Sequence, residues 1–111
     1  MPKIVSRKLR WDPLPGADGF NVYFAPAAGG MQFTYEMPKA NVGVPALDAD
    51  GKHFIFFNSV PELAALPEGI YDLAVTGYDA AGNEGDFAEV ENVPLDLVAP
   101  GKVTGLEVVA G

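Results

Sequence analysis

The sequence predicts an all-β domain built from two packed sheets. Short stretches in which apolar and polar residues alternate recur along the chain, and no long stretch has the period of a helix. Thirteen glycines and ten prolines, spread without low complexity, indicate many short connections between strands. The 111 residues suit one domain with a core large enough to fold without metals or disulfides.

Composition argues against several classes of function. The chain contains no cysteine, which excludes disulfides and thiolate metal sites. A net charge of −8 predicts no nucleic-acid partner, because phosphate binding needs a basic surface. No apolar run approaches the roughly 20 residues that a membrane-spanning helix needs, so we expect no membrane insertion.

The N-terminus bears on localisation. It carries basic residues but no apolar segment and no small-residue cleavage site, so no signal peptide is predicted. We therefore expect a cytoplasmic protein if the chain is complete, and an extracellular one if it is a fragment of a larger protein.

The charges are unevenly distributed along the chain. Four of the seven basic residues lie within the first ten positions, whereas ten acids and a single base follow His53. A solvated surface that keeps the protein soluble explains this pattern simply. The alternative and more specific interpretation is that the basic and acidic segments attract each other, either within one chain or head to tail between copies.

Two strands are predicted in the N-terminal quarter. Residues 3–12 alternate, with Leu9 and Trp11 on the inward face and Arg7 on the same face near the edge of the sheet. Residues 20–24 alternate again after a Pro/Gly/Asp turn, with Asn21 and Tyr23 turned outward. The inward face of this second strand holds Phe20, Val22 and Phe24.

The middle of the chain predicts one short strand, a connection and one very apolar strand. Residues 31–38 read as a strand ended by Pro38, and residues 39–51 as a long connection. In the strand that follows, Ile55 and Phe57 occupy one face and Phe54 and Phe56 the other. A strand that is apolar on both faces is either covered twice or exposes a patch. A helical turn is expected at residues 61–65.

The C-terminal half predicts a long strand, a tight loop and further strands. Residues 66–86 read as a turn, a strand with Tyr71, Leu73 and Val75 inward, and a Gly/Asn loop. Residues 84–93 give another strand with Phe87 buried. Residues 102–109 form one more strand-like run after a Pro/Gly break.

Several of these segments together resemble the fibronectin type III domains and, secondarily, the bacterial immunoglobulin-like domains. They are LRWDP at 9–13, FNVYF at 20–24, LPEGIYDLAV at 66–75 and DAAGN at 79–83. The resemblance implies a two-sheet immunoglobulin-like sandwich, a corner tyrosine at Tyr71 whose hydroxyl bonds nearby backbone, and Trp11 against the opposite sheet. The predicted structural core is Trp11, Phe20, Val22, Phe24, Tyr71, Leu73 and Val75.

The strand order departs from this family. The opening strand, A, has almost no residues available before the Trp11 strand, yet residues 99–111 resemble it. The chain then has about seven strands in the order B, C, C′, E, F, G and A, with a sandwich over 1–98 and a linker plus A-like strand over 99–111. That strand belongs to a following domain, pairs back on its own Trp11 strand, or is donated to a neighbouring copy.

The inventory of reactive side chains predicts no catalytic site. His53 is the only histidine, and Ser6 and Ser59 are the only serines, with no nucleophile-elbow motif. His53 is expected at the surface. Asp48 and Asp79 start acidic stretches that read as turns rather than calcium loops, and no metal or cofactor is predicted.

The predicted function is that of a non-catalytic protein-interaction or assembly module. The partner is another protein, or a second copy engaged through the C-terminal strand. The alternative is a spacer or carbohydrate-binding accessory domain of a larger secreted bacterial or phage protein, although protein contact is favoured because there is no sign of export. The candidate interface residues are Phe54, Phe56, Val103, Leu106 and Val108.

Overall fold

The computed structural model describes residues 7–30, 32–96 and 100–111. These residues form six strands, one 3-10 turn at Phe57–Ser59 and one short helix, α1, at Pro61–Ala64. The helical turn predicted at 61–65 is thereby confirmed. The strands are β1 Lys8–Trp11, β2 Gly19–Pro26, β3 Lys39–Gly43, β4 His53–Phe56, β5 Gly69–Tyr78 and β6 Ala88–Leu95.

The strands form two antiparallel sheets, as an all-β sequence with short connections predicts. One sheet has the order β1-β4, and the other has the order β3-β2-β5-β6. The central pair β2 and β5 runs in register from Gly19 opposite Tyr78 to Pro26 opposite Tyr71. The fold is therefore mostly β and sandwich-like.

The core lies where the two sheets face each other. Alternation along the strands turns Val22 of β2 and Leu73 of β5 inward, and both are completely buried. Leu63 of α1 is also completely buried. Trp11 and Phe24 are only partly buried and pack at the margin of this cluster. Its other large apolar members are Phe20, Ile55, Phe57, Tyr71, Val75, Val93 and Leu95.

The third strand lies later in the chain than the sequence predicts. Described residues 32–38 form a turn instead of a strand, and β3 occupies part of the segment predicted to be a connection. Pro38 explains the shift, because a residue without an N–H fits the start of a ladder better than its interior. The strand begins at Lys39, opposite Tyr23 of β2.

Two other predictions at the edge of the fold are wrong. Arg7 is exposed rather than inward, and its guanidinium donates a 2.6 Å hydrogen bond to the carbonyl oxygen of Pro94. The last strand begins at Ala88, four residues later than predicted, and Phe87 before it is half-buried. Arg7 bridges the edges of the two sheets, and Phe87 packs against the Tyr23 ring from the loop before β6. Strand periodicity alone reveals neither contact.

Residues 100–111 form no strand and are exposed throughout. The predicted seventh strand is thus absent from the described part of the chain, which has six. The Cα radius of gyration is 17.8 Å, whereas a compact domain of this length has about 13 Å. The C-terminal segment therefore adds nothing to the packed body.

Candidate interaction site at an open strand edge

The turn before β5 is tied to the strand by Tyr71. Its ring is buried, and its hydroxyl donates a 2.7 Å hydrogen bond to the carbonyl oxygen of Pro67. The predicted pairing of this hydroxyl with nearby backbone is confirmed. The contact fixes where β5 begins and so sets the register of the whole four-stranded sheet.

The outer face of the four-stranded sheet carries an aromatic cluster that sequence reasoning missed. Tyr23 is completely buried there, although alternation predicts an outward side chain. Phe87 packs edge-on against the Tyr23 ring with centroids 5.0 Å apart, and Phe33 packs at 6.3 Å. Tyr35 stacks on Phe87 at 4.6 Å. Two connecting loops thus cover this face.

Glu84 is the polar centre of the same cluster. Its carboxylate accepts hydrogen bonds from the hydroxyls of Tyr23 and Thr76, and Lys39 Nζ lies 3.6 Å away. Burial alone would raise the pKa of Glu84, but the hydrogen bonds from Thr76, Tyr23 and Asn21 together with Lys39 lower it overall. Burial and the adjacent carboxylate raise the pKa of Tyr23. The cluster holds both groups in fixed ionisation states and ties a loop to the sheet.

Asp72 supports an irregularity in the β5–β6 pair. The ladder shifts register between Tyr71 and Leu73, and Asn92 opposite has a φ of 56°. One Asp72 carboxylate oxygen accepts a 3.0 Å hydrogen bond from the Asn92 amide, and the other accepts bonds from Ala28 N and the Gln32 side chain. The bond from the Asn92 amide is the main cause that lowers the pKa of Asp72, although burial opposes it.

Of the side chains considered for catalysis, the structure describes His53 and Ser59. His53 is buried instead of exposed, its Nδ1 lies 2.7 Å from the carbonyl oxygen of Pro45, and its ring packs against Phe20 at 5.0 Å. Ser59 follows β4 in the 3-10 turn, and Ser6 lies outside the described residues. His53 therefore acts as a core residue that joins β4 to the preceding loop.

The acidic stretches predicted as turns are turns. Asp79 accepts hydrogen bonds from the amides of Ala81 and Asn83, and Gly82 has a φ of 87°. Asp48 accepts in the same way from the amides of Asp50 and Lys52. Within residues 7–30, 32–96 and 100–111, no group of three or more His, Cys, Asp or Glu side chains is arranged to hold a metal ion. In the same ranges, no helix has the length and apolar character to cross a membrane.

The basic side chains of β1 find acidic partners within the chain. Arg10 contacts Asp48 at 2.9 Å and Asp50 at 3.0 Å, and Lys52 contacts Asp12 at 3.0 Å. The hydrogen bond that Arg10 donates to Asp48 is the main cause that raises the pKa of Arg10. Lys8 is more loosely held, 4.0 Å from Asp48. Part of the charge complementarity suggested by the sequence is thus intramolecular.

One edge of β1 has no partner strand. The amide of Phe57 donates a 3.0 Å hydrogen bond to the carbonyl of Arg7, so Arg7 faces β4. Hydrogen-bonded positions alternate in an antiparallel pair, so Leu9 also faces β4, whereas Lys8 and Arg10 direct their N–H and C=O groups to the opposite side. No strand among the described residues pairs with that side. It is an open edge.

The open edge borders a cleft between β1 and β6, which we call the lateral cleft. Leu73 and Val75 of β5 line it between Leu9 and Trp11 on one side and Val90 on the other. Two cavities of about 510 and 130 Å³ lie along it. Val90 is 42% exposed. The apolar core therefore reaches solvent along this margin, where the two sheets stand apart.

Two residues that line the lateral cleft, Trp11 and Glu89, each carry a buried polar atom without a hydrogen-bond partner among the described residues. The atoms are Nε1 of Trp11, a donor, and Oε1 of Glu89, an acceptor. Buried polar atoms in folded proteins are nearly always paired. A peptide segment in the cleft would offer backbone carbonyls and amides to both atoms.

A second groove lies beside β4, where residues of β3, the 3-10 turn and α1 line it together with those of β4. It has a volume of about 350 Å³ and is lined by Val42, Phe54, Phe56 and Glu62 among others. The rings of Phe54 and Phe56 pack edge-on at 5.6 Å, and Lys8 Nζ lies 5.1 Å from the centre of the Phe54 ring. Phe54 is half-buried and Phe56 is exposed, as a strand that is apolar on both faces predicts.

The predicted interface residues are not brought together within one chain. Phe54 and Phe56 lie on β4, whereas the apolar side chains of the C-terminal segment contact none of the six strands closely enough to be buried. Val103 is 76% exposed, Leu106 is 88% exposed and Val108 is 100% exposed. Comparisons with protein-family models, with curated proteins and with solved structures find no match to this chain.

Proposed function

We propose that this chain is a non-catalytic interaction and assembly module with an immunoglobulin-like sandwich fold resembling fibronectin type III. The membership of the sheets supports the fold. In such a sandwich, strands B and E share one sheet and strands C, F and G share the other. With β1 and β4 assigned as B and E, and β2, β5 and β6 as C, F and G, each strand falls in the expected sheet. The corner tyrosine at the start of β5 supports the fold as well. Among the described residues, such a sandwich lacks only a strand beside β1.

The observation that carries the functional proposal is the open edge of β1 beside the lateral cleft. An edge with unpaired amides and carbonyls accepts an extended peptide through main-chain hydrogen bonds, and pockets for alternate side chains add specificity. Here the edge groups belong to Lys8 and Arg10, and the apolar pockets lie at Leu9 and Trp11. The partner is therefore a protein segment in extended conformation that alternates apolar and polar residues.

Panning a displayed library of random peptides on the full chain tests this proposal. Peptides with alternating apolar residues should be selected, and their binding should be lost in Lys8→Pro, because proline removes an edge donor without touching the ladder to β4. Lys8→Ala is the matched control and should bind as the wild type does. Selected peptides that bind Lys8→Pro equally well, or failure to select any, would contradict the proposal.

A second candidate function is carbohydrate binding by an accessory domain, and the groove beside Phe56 favours it. An exposed aromatic ring next to polar groups such as Glu62 can stack against a sugar ring. Titration with a panel of oligosaccharides, read from the NMR signals of the Phe54 and Phe56 rings, tests this function. Shifts abolished by Phe56→Ala and retained in Tyr35→Ala would support it, and unchanged spectra would exclude it for the sugars used.

A further inference from the structure

We infer that the lateral cleft is filled by the C-terminal segment, residues 102–109, of a second copy of this chain, added antiparallel to β1. The inference rests on the proposed function and names the occupant of the site. Copies joined in this way form a head-to-tail assembly, because the edge of one chain meets the tail of another.

The side chains of the segment match the two sides that an added strand would have. Leu106 and Val108 are two residues apart and share one face, and Glu107 between them lies on the other. With Leu106 and Val108 turned into the lateral cleft, Glu107 lies on the same side as Lys8 and Arg10. Opposite charges on neighbouring strands stabilise a pair, and Lys8 is the less firmly held of the two bases.

Gly105 brings a third apolar residue to the same face. Its φ is +71°, the left-handed conformation of the glycine in a β-bulge. A one-residue bulge there shifts the alternation, so that Val103 points inward with Leu106 and Val108. Three apolar side chains then face the lateral cleft over about 16 Å, which is five residue steps of about 3.3 Å each.

The unpaired polar groups of the cleft also fit a peptide backbone. The edge groups of Lys8 and Arg10 need carbonyl and amide partners, and Trp11 Nε1 and Glu89 Oε1 are buried without any among the described residues. An added strand supplies these partners while it covers Val90. An apolar ligand without a backbone would cover the cleft but leave the polar atoms unpaired.

Geometry favours the tail of another copy over the chain's own tail. The chain leaves β6 at Leu95, and Pro94 is hydrogen-bonded to Arg7 at the beginning of β1. An antiparallel strand beside β1 must start at the Trp11 end. The chain's own tail would first have to cross the whole cleft unpaired, whereas a tail from a second copy enters at the Trp11 end directly. Residues 100–111 are exposed in the single chain, as a segment available for donation must be.

The solution mass of the full chain, measured over a wide concentration range by analytical ultracentrifugation, tests the inference. The wild type should associate as concentration rises. Leu106→Asp/Val108→Asp should weaken association about tenfold or more, because two charges would enter an apolar cleft. Val109→Asp is the control, since it places one added carboxylate on the opposite face, and it should associate like the wild type.

A mixture of two variants identifies the sites that meet. Lys8→Pro has a blocked edge and an intact tail, whereas Leu106→Asp/Val108→Asp has an open edge and a blocked tail. Each alone should be monomeric, and an equimolar mixture should form a dimer. The tail variants carry substitutions only in an exposed segment, so they keep the test valid even if Lys8→Pro folds poorly.

The fluorescence of Trp11 gives an independent reading. It is the only tryptophan and lines the lateral cleft, so its emission should shift to the blue with concentration in the wild type and not in Leu106→Asp/Val108→Asp. A wild type that stays monomeric, or a tail variant that associates as strongly, overturns the inference. If displayed peptides still bind the edge of β1 in that case, the proposed function stands; if they do not, both fail.

Discussion

The hydroxyl of Tyr71 and the carbonyl oxygen of Pro67 are 2.7 Å apart, which closes the turn that leads into β5. The Tyr71 ring is buried at the same time among the core residues of the four-stranded sheet. One side chain thus joins a surface turn to the interior. Because β5 pairs with both β2 and β6, its starting point controls the alignment of three strands.

Replacement of Tyr71 by Phe should lower the free energy of unfolding by about 1 kcal/mol, because the part-buried hydrogen bond to the Pro67 carbonyl is lost while the ring is kept. Urea denaturation followed by far-ultraviolet circular dichroism measures the difference. Tyr35→Phe is the control: its hydroxyl also bonds a backbone carbonyl, that of Gly85, but the side chain is exposed. An equal loss in both variants would contradict a special role for the corner.

Replacement of Asp72 by Asn should lower the melting temperature, because hydrogen bonds to a charged acceptor are lost at a position that is 1% exposed. The amide of Asn92, held at a positive φ, loses its charged acceptor, and so does the amide of Ala28. Thermal denaturation of the variant measures the loss. Asp86→Asn, at an exposed position, should melt like the wild type.

The strands and the inward faces of the sheets were accessible from sequence because alternation is a local signal. The position of β3 was not, since it depends on pairing with β2 across a connection of twelve residues from 27 to 38. Residues 32–38 look like a strand because Phe33 and Tyr35 alternate with polar residues. Their rings instead cover Tyr23 and Phe87, a contact between distant segments that no local period encodes.

The polar parts of the structure were the hardest to predict. Glu84 meets Tyr23 across 61 positions of sequence, and neither residue stands out in a chain with fifteen acids and four tyrosines. The sequence indicated the lateral cleft only indirectly, because the resemblance to the sandwich family predicts a strand before β1 that the strand order does not contain. That the cleft opens on Trp11 and Val90 follows from the spacing of two sheets, which a sequence pattern does not contain.

Glu84 should make stability depend on pH in acid. Its pKa is lower in the folded protein than the ordinary 4.5, so its contribution is fully present above that value and is lost as pH falls through the folded-state pKa. Glu84→Gln removes this dependence. Chemical denaturation at a series of pH values below about 6 should therefore show a steeper fall in the wild type than in the variant.

The exposed Glu91 provides the control for the pH series. The contacts to Tyr23, Thr76 and Lys39 belong to Glu84 and are kept in Glu91→Gln. The dependence of stability on pH in Glu91→Gln should therefore follow that of the wild type. Parallel curves for the wild type and Glu84→Gln would mean that the carboxylate at Glu84 is not held ionised by its neighbours.

Trp11 should contribute to stability even though it is only partly buried. Its ring packs against Phe20 with centroids 5.4 Å apart and against His53 at 6.1 Å, so it links β1 to both sheets. Trp11→Ala should cost about 3 kcal/mol and lower the melting temperature by roughly 10–20 °C. The control is Val44→Ala, a truncation at an exposed position, which should change the melting temperature little. A Trp11→Ala variant that melts within a few degrees of the wild type would show that β1 is held by its backbone pairing with β4 and not by this ring. Both melting temperatures should be measured at low protein concentration. Mass action then keeps the chain monomeric, so that no second copy occupies the lateral cleft.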